Sequence, residues 1–137
     1  MRRASILVLS LLAFAGCSSG SGAMVEMTDA QRFDPAEITV EAGQTIEFTN
    51  DSSELHTVTA YEGELPPGAD YFASGGFSSE EEARANLSEG LIDPGDTFEV
   101  TLDTPGRYAY FCIPHESQDM TGSITVEVIV EPDDVTD

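Results

Sequence analysis

Apolar and polar residues alternate with a period of two in six stretches of the chain. Ile38 and Val40 flank Thr39, and Ile46 and Phe48 sit among Thr45, Glu47 and Thr49. The run His56-Thr57-Val58-Thr59-Ala60-Tyr61 is β-branched and alternating. Phe98, Val100 and Leu102 share one face of the next run, and Tyr108, Tyr110 and Cys112 one face of another. Ile124, Val126, Val128 and Val130 share a face of the last. Successive strand side chains point to opposite sides, so each apolar set turns toward a common core. Turn residues punctuate the runs: Ala42-Gly43, Asp93-Pro94-Gly95-Asp96, Pro105-Gly106 and Thr121-Gly122. The pattern predicts an all-β sandwich with antiparallel pairs.

Residues 62–90 break this rhythm. The segment carries Pro66-Pro67-Gly68 and Gly75-Gly76. Ser79 followed by Glu82 suits a capping box, and Ala83 and Leu87 lie one helical turn apart. We expect a long excursion between strands holding one short helix, from about residue 80 to 88.

The chain starts with a basic Met1-Arg2-Arg3, then an apolar run over residues 6–15, then Gly16 and Cys17. Such a run is too short to span a bilayer, which takes about 20 apolar residues, and suits a signal peptide. Phe14-Ala15-Gly16-Cys17 resembles a lipoprotein box, in which the Cys is lipidated and becomes the first residue. Ser18-Ser19-Gly20-Ser21-Gly22 reads as a flexible tether. Arg2-Arg3 also suits a twin-arginine export signal. The expected organisation is a signal peptide over 1–16, a lipidated Cys17 and tether over 17–31, a folded domain over 32–131 and an acidic tail over 132–137.

Charge narrows the functional classes. The 137 residues include 5 basic and 26 acidic ones, for a formal net charge of −21, and none of the basic residues is Lys. Nucleic acid would be repelled. The acids are scattered from Glu26 to Asp137, as in proteins adapted to high salt; an acidic recognition patch for a basic partner is the competing explanation. The length excludes a large enzyme with separate cofactor and substrate domains.

Cysteine adds a sharper signal. Only Cys17 and Cys112 are present. With Cys17 lipidated, Cys112 is a lone thiol in an exported domain, which calls for a reason. The two histidines are His56 and His115, and Met120 is the only Met beyond residue 27. Cys112, His115 and Met120 form a C-x2-H-x4-M pattern, with His56 far upstream at the start of a strand. Taken singly, each has an ordinary structural explanation as a packed or surface residue. Together, two imidazoles, a thiolate and a weak axial thioether suit copper in both oxidation states.

These residues resemble the cupredoxins, small blue (type 1) copper proteins, and most of all their plastocyanin and halocyanin branch. The resemblance covers Phe33 to Val130. Phe33-x-Pro35, Ile38-Thr39-Val40 and Gly43-x-Thr45-Ile46-x-Phe48-x-Asn50 are similar to that family's opening strands. Tyr108-x-Tyr110-Phe111-Cys112-x-Pro114-His115 is similar to its ligand strand and loop, and Met120-x-Gly122 to its return. The resemblance implies a Greek-key sandwich and one copper ion held by His56, Cys112, His115 and Met120. It also implies an electron port at His115 with Pro114 beside it. With the lipoprotein box and the acidity, it points to membrane-anchored halocyanins of halophilic archaea.

Two departures stand out. The family often has Asn after the first His ligand, tying the two ligand loops together, where this chain has Thr57. Plastocyanins often have Tyr before the Cys as a second electron port, where this chain has Phe111. The expected function is one-electron transfer, without enzymatic turnover, between redox protein donors and acceptors. The carrier would be a monomer anchored by lipid on the extracellular face of the cell membrane. The rivals are a copper storage or delivery protein and a metal-free extracellular sandwich.

Overall fold

A computed structural model describes residues 22–129. The signal peptide, Cys17 and the acidic tail lie outside the described residues. Eight strands form two sheets. They are β1 (Ala23–Met27), β2 (Phe33–Asp34), β3 (Glu37–Glu41), β4 (Thr45–Asn50), β5 (Thr59–Ala60), β6 (Thr97–Thr101), β7 (Gly106–Phe111) and β8 (Thr121–Glu127). One sheet runs β2-β1-β4-β6 and the other β3-β8-β7-β5. The expected sandwich is therefore present.

Its pairing is mixed rather than uniformly antiparallel: β1 runs parallel to β4, and β3 parallel to β8. Both parallel pairs join strands that are not hairpin neighbours in the chain, so a sequence scan for turns does not reveal them.

The alternation translates directly into burial. In β4, Ile46, Phe48 and Asn50 point inward, and in β8 Ile124 and Val126 do so. The edges of Phe33 and Phe48 meet Tyr110, with ring centroids 4.7 and 5.3 Å from it. Burying one such aromatic side chain contributes about 2–3 kcal/mol. Gly122 on β8 lets the Tyr110 ring lie against the neighbouring backbone, since a Cβ there would collide with Cζ and the hydroxyl of Tyr110.

Four expectations need correction. The tether was expected to run through residue 31, but residues 23–27 form β1, with Val25 and Met27 wholly buried. Domain structure thus begins by residue 23 rather than 32. The signal was weak because the short run Met24-Val25-Glu26-Met27 follows a Gly/Ser stretch. The strand expected over residues 56–61 shortens to Thr59–Ala60, with His56 joined to Ile92 by an isolated bridge. The last strand ends at Glu127, leaving Val128 exposed. The single helix divides into α1 (Glu80–Ala85) and α2 (Leu87–Gly90), because Asn86 at φ −123°, ψ 47° breaks the helical path.

Register places everything that matters at one pole. Met27 pairs with Asn50 and Phe111 with Thr121 at that end. Ala23 pairs with Ile46, and Glu41 with Glu127, toward the other. The turn after β4 and the loop between β7 and β8 therefore meet at the same pole.

Candidate metal centre

His56 enters the site from the loop after β4. Its backbone is anchored by Ile92, whose N–H donates to the His56 carbonyl at 2.7 Å. Cys112 directly follows β7 and is wholly buried. His115 lies in a 3-10 stretch, Ile113–Gln118, with Pro114 in its first turn. The N–H of Cys112 donates to the Met120 carbonyl at 3.0 Å, and the N–H of Met120 to the His115 carbonyl at 3.2 Å. These bonds close the loop and return Met120, whose side chain is fully buried, to a place beside Cys112. Asp119, in the left-handed region at φ 62°, makes the turn.

Three donor atoms converge. Cys112 Sγ is 3.4 Å from His115 Nδ1 and 3.7 Å from His56 Nδ1, and the two ring nitrogens are 3.1 Å apart. A point equidistant from all three lies about 2.0 Å from each, which matches nitrogen and thiolate bonds to a first-row transition metal, about 2.0–2.3 Å. The triangle therefore fits a metal ion, and the soft sulfur with two imidazoles fits copper.

The surroundings prepare each donor. The Asn50 side-chain NH2 donates to the carbonyls of Glu54 at 2.8 Å and Ile92 at 2.9 Å, which assigns Oδ1 as the remaining acceptor. Ser52 Oγ donates to that Oδ1 at 2.7 Å. Ser52 Oγ also lies 3.2 Å from the Glu54 carbonyl and 2.8 Å from His56 Nε2, where it can accept an N–H from the ring. In that tautomer Nδ1 keeps a free lone pair facing the thiolate and the other ring. Burial pushes the His56 pKa down, with the nearby His115 adding to the effect, so the ring favours its neutral, metal-binding form.

Cys112 is prepared from the opposite side. Burial pushes its thiol up, while the Thr57 N–H, 3.3 Å from Sγ, pulls it down. Thr57 also makes the tie that its lack of an amide side chain put in question. Its hydroxyl oxygen accepts from the Ile113 N–H at 2.8 Å and from the Thr59 hydroxyl at 3.1 Å. A hydroxyl thus joins the two ligand loops where the family often uses an amide.

All four expected ligands lie at this pole; His115 is half-buried and Pro114 exposed. Sequence reasoning missed Asn50 and Ser52. Asn50 carries a readable signal, since it occupies an inward position after Ile46 and Phe48 where an apolar residue would be expected. Ser52 carries none, being one of several polar residues in an apparent turn.

Comparison with known proteins agrees with this geometry. Residues 21–127 match the family described as copper binding proteins, plastocyanin/azurin family. The chloroplastic plastocyanin of Hordeum vulgare is 36% identical over 94 residues, which cover 69% of this chain and 54% of that protein. The plastocyanin of Scenedesmus fuscus is 35% identical over 107 residues, covering 78% of this chain and 91% of that one. The match thus spans about half the length of the chloroplastic relative. Oxidised plastocyanin from Dryopteris crassirhizoma superimposes with a TM-score of 0.56 at 28% identity, over 77% of this chain and 100% of that one. The chain belongs to the plastocyanin/azurin family of copper binding proteins, and His56, Cys112, His115 and Met120 form an arrangement like a type 1 copper site.

Proposed function

We propose that the protein is a one-electron carrier between redox proteins and turns over no substrate. The observation that carries this reading is the triangle of two imidazole nitrogens and one buried thiolate, with Ser52 Oγ 2.8 Å from the far nitrogen of the His56 ring. Copper, when bound, would supply the Cu(I)/Cu(II) couple. The residues around it contribute constancy. Ser52 and Asn50 hold the His56 ring, Thr57 holds the sulfur and the Ile113 amide, and the loop's backbone bonds hold His115. Ligands that barely move when their charge environment changes keep the reorganisation cost of electron transfer low.

His115 is the port in this reading. It is half-buried, it would bond the metal directly, and exposed Pro114 stands beside it. The carrier is a monomer, exported and held by lipid on Cys17 at the extracellular face of the cell membrane. The sequence around Cys17 supports this. So does the fold, because Gly22 lies at the pole opposite the ligands. Among the described residues, no helix is long and apolar enough to cross a membrane. The scattered acids favour a halophilic archaeal source and a halocyanin-type role.

The deciding experiment is copper content with a visible spectrum on the purified domain. One copper per chain and an intense blue oxidised form are expected, because that colour requires the Cu(II)–thiolate bond. Copper without reversible one-electron reduction would favour storage or delivery, and no copper would favour the metal-free sandwich.

A further inference from the structure

Arg84 is the only cation that forms salt bridges among the described residues of this very acidic chain, and it spends them beside the ligand loop. Helix α1 is built to present it. Ser79 caps the helix by accepting from the Glu82 N–H at 3.1 Å, and buried Ala83 seats it. Arg84 Nε donates to Glu80 at 2.9 Å, one turn back. Its two terminal nitrogens donate to the carboxylate of Glu116 at 2.8 and 3.1 Å. Its carbon Cζ lies 4.4 Å from the centre of the Phe111 ring. Phe111 directly precedes Cys112, and Glu116 directly follows His115. Tyr61 completes the cluster, stacking on Phe111 at 4.2 Å and donating its hydroxyl to Glu116 at 3.2 Å.

We propose that Arg84 is a positioning residue, with which the long excursion clamps the segment from Phe111 to Glu116 and so holds His115 in register with Cys112. The guanidinium suits this task for a geometric reason. One planar fork grips a carboxylate with two parallel bonds, its third nitrogen reaches Glu80, and its face covers an aromatic ring. A lysine ammonium could make only one of these contacts well. Each contact is weak alone because the pair is partly exposed. They share one rigid group, however, and their targets bracket Cys112 and His115. The extra chain length of the excursion thereby acquires a role at the metal centre. Phe111, in the place of the family's frequent Tyr, is covered by the clamp and wholly buried.

This inference rests on the copper reading above, and its test separates the two. Amide hydrogen exchange is measured on the metal-free protein and on its Arg84→Met and Glu116→Gln variants. The amides of His115, Asp119 and Met120, all bonded within the loop, should exchange roughly fivefold faster in either variant. Those of Ile124 and Val126 in β8 should stay unchanged. The double variant should exchange little faster than either single one, because both break the same clamp. In the copper-loaded protein, Arg84→Met should alter the visible and electron paramagnetic resonance spectra, and Arg84→Lys should fall between it and the parent. Unchanged loop amides, or equal acceleration of loop and β8 amides, would overturn the clamp. A parent protein that takes up no copper would instead overturn the functional reading.

Discussion

The two histidines reach one sulfur on very different supports. His56 is fully buried, with its ring bonded from behind by Ser52 and its backbone paired with Ile92. The loop that carries it is pinned from outside as well. Asp29 accepts from the N–H and hydroxyl of Ser53 at 2.8 and 2.9 Å, and Gln31 donates to Glu54 at 3.2 Å. His115 is half-buried on a 3-10 stretch, and its own backbone leaves helical geometry at φ −121°. Its support comes from the loop's few backbone bonds and from Arg84. One arm is set by interior packing and a buried hydrogen bond. The other is set at the surface, where a partner could approach. In the proposed role of electron carrier, the rigid arm would preserve the donor geometry while the exposed arm would make the contact.

The most severe way to break the comparison is to remove what both arms share. Cys112→Ser should abolish the intense blue band, because an oxygen cannot replace the covalent sulfur. A variant that remained intensely blue would refute the assignment of Cys112.

The buried arm comes next. Ser52→Ala removes the acceptor for His56 Nε2–H and frees the ring to take the other tautomer. Copper affinity should fall about 10- to 100-fold, as is typical when a group orienting a ligand is lost. Ser52→Thr should restore most of it. Equal affinity for Ser52→Ala, measured by competition with a copper chelator, would show that packing alone orients His56.

The exposed arm should be more sensitive in partner reactions than in metal binding. Pro114→Glu should slow electron exchange with a redox partner in molar salt while leaving the blue band in place. Neutralising Glu64 and Glu81, both exposed on the excursion, should slow it less. At 1 M salt the Debye length is about 3 Å, so long-range steering by acids is largely lost. The opposite ranking by stopped-flow kinetics would identify the acidity as a recognition surface.

The smallest expected effect separates the arms by salt alone. The Arg84–Glu116 pair is weakened as salt rises, whereas the protein's overall self-repulsion is relieved. Raising salt from 0.1 to 1 M should therefore strengthen β8 protection in the metal-free protein, yet reduce loop protection relative to β8 by about twofold. Parallel changes in both regions would mean that Arg84 contributes nothing specific.

Much of the site was legible because its donors are chemically rare in this chain. Two His, one spare Cys and one distant Met leave little freedom of choice, and strand alternation places Cys112 at the inner end of β7. The core face of β4 was equally plain. What escaped notice has physical reasons. The orienting role of Ser52 depends on where a single hydroxyl proton goes, which composition does not record. The clamp depends on a contact between residues 84 and 116, brought together only when the excursion folds back over β7. The strand β1 gains its place from a parallel partner more than twenty residues away, with no hairpin turn joining the two to announce it. The tie by Thr57 was visible only as a missing amide.

Parallel pairing of β1 with β4 has one more consequence. The described chain enters at Gly22 and leaves at Ile129, and both residues line the same surface hollow together with residues 41–45. Six-residue strands, about 20 Å long, separate that hollow from the ligand pole. In a domain trimmed to residues 22–129, a partner fused at either residue, whether an electrode linker, a fluorescent protein or a second copy of the domain, is attached on the side away from His115. In that trimmed domain a short peptide joining Gly22 and Ile129 would also close the chain, allowing new ends to be opened at the exposed Gly75-Gly76 turn. The ligand pole is thus insulated from alterations at residues 22 and 129, and the domain can be re-plumbed into fusions without redesigning that pole.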